Sequence, residues 1–295
     1  MIPNFMSLRV LVSWDGILLR TEPLSFIDRS RAPNDDRQNE AWDMVHGLLL
    51  LSGGQLFHAP ILSPVKCQRI LDVGTGTGSW AIDIAQIYPT TQIIGTDISP
   101  IQPSFVPTNV SFQLDDAQLP WTFPSHHFDF VHLRGLVGAI RDWPFLYAQV
   151  YRCLKPGGWF EHRDFSVEPQ SETGSLPEQS PLHSWQDVLA AASRKSGKTF
   201  RVVDDGANVA WFKAAGFTKI KEERSIVPIG SWHEDPELKI MGGILEAAME
   251  QSVEGCGVYI LTKLLDWSAA EARAFLIQVK AALRDSSSAR LYLEM

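Results

Sequence analysis

Apolar residues first fall into register over Asp35–Leu51, where Trp42, Val45 and Leu49 recur at helical spacing behind Asn34, a good N-cap, and ahead of Gly53-Gly54. Either Trp42 and His46 of this helix face a ligand, or Trp42, Val45 and Leu49 form its buried stripe. The pattern then changes period. Ile70, Leu71 and Val73 make the short apolar run of a strand covered on both faces, and a helix follows over Ser79–Tyr88, stopped by Pro89. Strand Gln92–Gly95, a proline-rich Ser99–Pro107, and strands Val110–Leu114 and Phe128–Leu133 come next. Asp142 caps a helix running to about Leu154, with Pro144 in its first turn, and Lys155-Pro156-Gly157-Gly158 turns the chain into strand Trp159–Phe165. Beyond a polar loop, Glu168–Pro181, the spacing predicts helices Leu182–Lys195 and Asp205–Ala215, closed by Gly197 and Gly216, and a sixth strand over Phe217–Val227. Trp232–Asp285 reads as helical, and Ser268-Ala269-Ala270-Glu271 is a capping box opening a last helix with Ala272, Phe275, Leu276 and Val279 inward.

Strands alternating with helices imply an α/β fold: a doubly wound, mostly parallel sheet with right-handed crossovers. The expected domain spans 33–295, with helical insertions at about 180–197 and 234–285 that could serve as lid or substrate wall. Residues 1–32 lack periodicity and are expected to form a separate arm.

The chemistry begins at Asp72-Val73-Gly74-Thr75-Gly76-Thr77-Gly78-Ser79. Three glycines at alternate positions let the backbone turn sharply beneath a ligand. A dinucleotide turn is G-x-G-x-x-G and carries nothing acidic against the pyrophosphate. Here Ser79 stands at the third dinucleotide glycine and Asp72 precedes the first. A carboxylate there suits a ligand with an ammonium group and no phosphate, which S-adenosylmethionine is. Asp97, at the end of the second strand, is placed to accept hydrogen bonds from ribose hydroxyls. Such sheets bind ligands beyond the carboxyl ends of their strands, and each of these acids falls at such an end.

The runs Pro33-Asn34-Asp35-Asp36, Asp97-Ile98-Ser99-Pro100-Ile101-Gln102-Pro103, Asp115-Asp116-Ala117, Pro120-Trp121-Thr122-Phe123-Pro124, Phe128-Asp129-Phe130-Val131-His132-Leu133-Arg134 and Leu154-Lys155-Pro156-Gly157-Gly158-Trp159 carry a resemblance. They resemble the class I S-adenosylmethionine-dependent methyltransferases, and within them the fungal LaeA-like group, which contains tailoring enzymes of secondary metabolism and a nuclear regulator of it. The likeness runs from about Pro33 to Asp285. It implies a Rossmann-like fold with S-adenosylmethionine on Asp72, Gly74, Gly76, Gly78, Asp97 and Ile98, and adenine near Asp115, Asp116 and Ala117. Arg134, beside the methionine part, is counted with these cofactor-binding residues, and it could hold a substrate carboxylate or a neighbouring acid. The catalytic candidates are His132, which could act as a general base or be a hydrogen-bonded core histidine, and Glu161; Glu161 or His162 could reach substrate. Glu161 stands where the family commonly carries an acid, His162 where it carries an aliphatic residue. The family's final strand, which lies between the fifth and sixth, is reduced to a stub within Ser286–Met295. Either a short strand suffices, another segment substitutes, or the fold is compromised there.

A net charge of -8 and a pI near 5.5 argue against nucleic acid or anionic lipid as partners. No run approaches the ~20 apolar residues of a membrane span, and no targeting segment is evident. Cys67, Cys153 and Cys256 are widely separated and lack metal spacing, which points to reduced thiols in the cytoplasm or nucleus. The reading that follows is methyl transfer by in-line displacement to a small-molecule acceptor. Its rivals are a nuclear regulator working through protein partners, and a cofactor-binding paralogue or cyclase that transfers no methyl.

Overall fold

The structure is a computed structural model that describes residues 36–51, 55–61, 63, 66–174, 176, 178–285 and 289–294. The expected arm, the Asn34 cap, the Gly53-Gly54 stop and Ser286–Ser288 lie outside the described residues. Helix α1 (Asp36–Leu51) precedes β1 (Arg69–Val73), α2 (Ser79–Ile87), β2 (Gln92–Asp97), β3 (Val110–Leu114), β4 (Phe128–Arg134), α3 (Trp143–Cys153) and β5 (Leu154–Arg163). The five strands form one parallel sheet in the order β3-β2-β1-β4-β5. Strand order reverses between β1 and β4, the switch point where a crevice opens in this class of sheet.

Alternation along the strands builds the core on both faces. Ile70, Ile93 and Phe130 pack towards Trp80 and Ile84 of α2. Leu71, Ile94 and Val131 pack towards Trp143, Leu146, Tyr147 and Val150 of α3. Asp129 clasps the start of β1 to the rest of the sheet. Its Oδ2 accepts the amides of Gln68 and Arg69, both at 2.9 Å, and Lys155 Nζ donates to its two oxygens at 2.8 and 2.9 Å. The Lys-Pro-Gly-Gly segment thus belongs to β5, with a register shift against β4, and is not a separate turn.

The second half differs more. After β6 (Gln170–Ser171) come α4 (Pro181–Ser196), α5 (Ala207–Ala215), β7 (Ile226–Pro228), α6 (Pro236–Tyr259), a π-helical turn (Ile260–Leu264), α7 (Ala269–Arg284) and β8 (Leu291–Glu294). The expected sixth strand shrinks to Ile226–Pro228. Lys219, Lys221, Glu222, Glu223 and Arg224 put charge on both faces of the run before it, which a buried strand cannot carry. The stub does form a strand, but outside the main sheet: β8 pairs antiparallel with both β6 and β7, between them, in a small separate sheet. Leu291 and Leu293 of β8 join Val227, Met241, Leu245, Leu276 and Val279 in the core of the helical layer. Helix α1 lies on α6, tied by Arg37 to Glu254 at 3.3 Å, and buries Ala41, His46 and Leu48. Trp42 and Val45 are half-buried, because α1 is sandwiched between α6 and the strand ends.

Candidate functional site

A cavity of about 160 Å³ opens at the carboxyl ends of β1, β2, β3 and β4. Its floor is the glycine turn. Gly74 (φ +69°) and Gly76 (φ +58°) adopt the left-handed backbone that favours glycine. A Cβ on Gly74 would meet Leu136 Cδ2 at 2.5 Å, whereas one on Gly76 would meet nothing within 4 Å. Gly76 therefore faces open space, where a ligand can approach the backbone. Gly78 (φ +103°) is the N-cap of α2 and turns the chain into that helix.

Asp97 and the 115–117 segment line the cavity together with Ile98. Asp97 Oδ2 accepts the Gly76 amide at 2.6 Å and Oδ1 the Ser99 amide at 2.9 Å. Each oxygen keeps a lone pair for a ligand hydroxyl. Burial pushes the Asp97 carboxyl up to about 6 despite the Gly76 and Ser99 amides. Asp116 Oδ1 accepts the Gln118 amide at 3.0 Å, and Asp115 has its pKa raised by burial. Ile98 and Ala117 supply apolar walls between these acids.

Asp72 and His132 lie beneath this floor. Asp72 Oδ2 accepts the Thr75 hydroxyl at 2.9 Å, and Oδ1 is joined to His132 Nδ1 at 2.7 Å. Burial raises the Asp72 carboxyl to about 7, against the opposing pull of Thr75 and Arg134. His132 stacks on Trp80 at 3.9 Å, with planes 5° apart, and burial holds its pKa well below the usual value. It is not among the cavity-lining residues and braces Asp72. Glu161 does not line the cavity either: its Oε2 accepts the amides of His58 and Ala59, both at 2.7 Å, pinning that segment to β5.

His162, where an aliphatic residue is expected, sits in a relay. Its Nδ1 is 2.6 Å from Tyr147 Oη and its Nε2 3.3 Å from Asp164 Oδ2. Tyr147 donating to Nδ1, and Nε2–H to the carboxylate, satisfies both bonds. Asp164 Oδ2 accepts the Leu136 amide at 3.1 Å, so the relay fixes the side chain that fills the space over Gly74. Arg134 reaches the cavity wall beside Gly135.

Sequence reasoning missed several residues. Asp43 of α1 lines the cavity and accepts the Thr77 hydroxyl at 3.0 Å; Gln102 Nε2 donates to the Gly76 carbonyl at 3.0 Å. Of the two α1 residues that the sequence offered as facing a ligand, Trp42 does line the cavity, its ring 3.1 Å from where a Cβ on Gly135 would lie, whereas His46 is buried against Asp83 at 3.2 Å. A larger hollow of about 500 Å³, lined by residues of α1, α6 and α7, lies away from the strand ends. Its walls pair Glu254 with Lys280 at 2.7 Å and Glu250 with Arg284 at 2.5 Å, leaving the strand-end cavity as the candidate site.

The glycine floor, the acid ending β2 and the acids after β3 suit an adenosyl ligand without phosphate. A family model described as a methyltransferase domain matches residues 22–222. The methyltransferase pytC of Aspergillus terreus is 38% identical over 242 residues, 81% of this chain and 73% of its own length. The secondary metabolism regulator LAE1 of Cochliobolus heterostrophus is 35% identical over 80% of this chain and 77% of its own. Among solved structures, phosphoethanolamine N-methyltransferase 2 of Haemonchus contortus matches with a TM-score of 0.52 at 20% identity, over 91% of this chain and 58% of that one. This last likeness speaks for the fold. Together the matched span and the two fungal relatives decide the family: the chain belongs to the class I S-adenosylmethionine-dependent methyltransferases, in their LaeA-like group.

Proposed function

We propose that this chain transfers the methyl group of S-adenosylmethionine to a small-molecule acceptor of fungal secondary metabolism. The observation that carries the reading is the convergence of Asp97 and Asp116 on one cavity floored by Gly74 and Gly76. In this reading Asp97 accepts the ribose hydroxyls, and Asp116, with Asp115 beside it, accepts the adenine amino group. Ile98 and Ala117 flank the ring, while Gly78 lets the chain turn into α2. The cofactor, when bound, supplies a methyl carbon activated by its sulfonium. Trp42, Leu136 and Ile140 line that cavity with apolar surface and exclude water from the line of displacement. Placing acceptor, methyl carbon and sulfur in line can supply most of the catalysis, so the positions of His132 and Glu161 away from the cavity are compatible with an enzyme. Asp72 and His132 then act by holding the glycine turn.

The kinship with LAE1, and with a protein-methionine methyltransferase laeA of Emericella nidulans at 30% identity, favours a second reading in which the acceptor is a protein. Methyl-labelled cofactor separates the two. Incubated with the chain and an extract of a fungal culture, label is expected in the organic, low-molecular-weight fraction and to vanish with Asp97→Ala. Label confined to protein would overturn the small-molecule reading and support the second.

A further inference from the structure

Arg134 ends β4 at the cavity wall, 6% exposed, and none of its guanidinium nitrogens hydrogen-bonds any atom of the described residues. A buried donor without a partner is destabilising, and a charged one more so. Its register neighbour on β5 is Arg163, whose Nη1 is also without a partner. Side by side, the two cations repel. Burial first and Arg163 second push the Arg134 pKa well down.

The acids nearby are engaged elsewhere. Asp72 holds Thr75 and His132, Asp164 holds the Leu136 amide, and Glu161 accepts the His58 and Ala59 amides with its other oxygen 3.7 Å from Arg163 Nε. The same stretch of cavity wall is apolar, formed by Trp42, Leu136, Ala139 and Ile140. A planar fork of donors matches an oxyanion such as a carboxylate or a phosphate, and the apolar wall beside it favours the less heavily charged carboxylate, carried on an apolar body.

We propose that Arg134 is a carboxylate-recognition site for the methyl acceptor, which is therefore an organic acid whose apolar body lies against Trp42, Leu136 and Ile140. This rests on the cofactor reading above. The cofactor's own amino-acid end carries the same group, and the test separates the two sources.

Wild type and Arg134→Met are saturated with decarboxylated S-adenosylmethionine and titrated with benzoate and with its neutral match, benzamide. The two proteins are also titrated with S-adenosylmethionine and its decarboxylated form. The expected result is a preference of tenfold or more for benzoate over benzamide in the wild type, lost in the variant. Removing an unpartnered buried charge is also expected to leave the melting temperature equal or higher, which keeps the comparison clear of misfolding. Loss in the variant of a preference for intact over decarboxylated cofactor, without any benzoate preference in the wild type, would overturn the acceptor assignment and give the arginine to the cofactor. Both ratios unchanged in the variant would overturn carboxylate recognition altogether. Failure of the wild type to bind either adenosyl compound would overturn the cofactor reading itself, and this proposal with it.

Discussion

Asp97 is both the hinge of the proposed cofactor site and a buried acid, and the two roles pull on its proton in opposite directions. Burial raises its carboxyl to about 6, so between an ordinary carboxylate pKa of ~4 and that value the folded protein holds a proton the unfolded chain has lost. Its contribution to stability therefore falls as pH rises across that window. Asp97→Asn removes the titration. The melting temperature of the variant minus that of the wild type is expected to increase from pH 4 to pH 7 in the absence of ligand; a difference that stays flat or decreases would contradict the assignment. Ionised Asp97 accepts hydroxyls better than the protonated form, so ligand binding favours the charge that folding resists. Asp97 and the 115–117 segment were legible in the sequence, because each follows an apolar strand in a chain already marked by the glycine turn. Asp43 and Gln102 were not: their partners Thr77 and Gly76 lie 34 and 26 positions away, and no local pattern joins them. The place of His132 was equally hidden, since stacking on Trp80 depends on how α2 docks.

Elements hold this site through a few long-range clasps, and the Lys155–Asp129 pair is the one most open to test. Burial works against the Asp129 charge, yet Lys155 and the amides of Arg69 and Gln68 together keep its pKa below the usual value. Lys155→Met leaves that carboxylate largely buried with only amide donors. The loss is expected to be ~1–3 kcal/mol of unfolding free energy, read from urea denaturation, and to shrink as the pH falls through the lowered pKa of Asp129 and the acid takes up a proton. No loss at neutral pH would mean that the clasp is ornamental. Parallel strands and their helices were readable from apolar runs and caps, as with Asp142, whose side chain accepts the Phe145 amide at 2.8 Å. The small β6-β8-β7 sheet was not, since Gln170–Ser171 and Ile226–Pro228 are too short to show a period. What makes them strands is pairing with β8.

At the scale of the whole molecule, the five-stranded sheet supplies the floor of the proposed cofactor site, while α1, carried on α6, supplies its cover through Trp42 and Asp43. A net charge of -8 favours a cationic sulfonium ligand over nucleic acid, and no helix among the described residues is long and apolar enough to cross a membrane. The cofactor end was readable because its chemistry demands glycines and acids at fixed strand ends. The acceptor end was not, because in-line transfer asks only for shape and exclusion of water, and these come from packing between distant segments. Methyl transfer by this chain requires that the strand-end cavity bind the cofactor. Calorimetric titration with S-adenosylmethionine of the wild type, Asp97→Ala and Asp116→Ala tests it most directly. The expected result is micromolar binding by the wild type, weakened tenfold or more in each variant, about 1.4 kcal/mol apiece, with the folded fraction unchanged. A folded wild type that binds nothing, or binding indifferent to both substitutions, would contradict it.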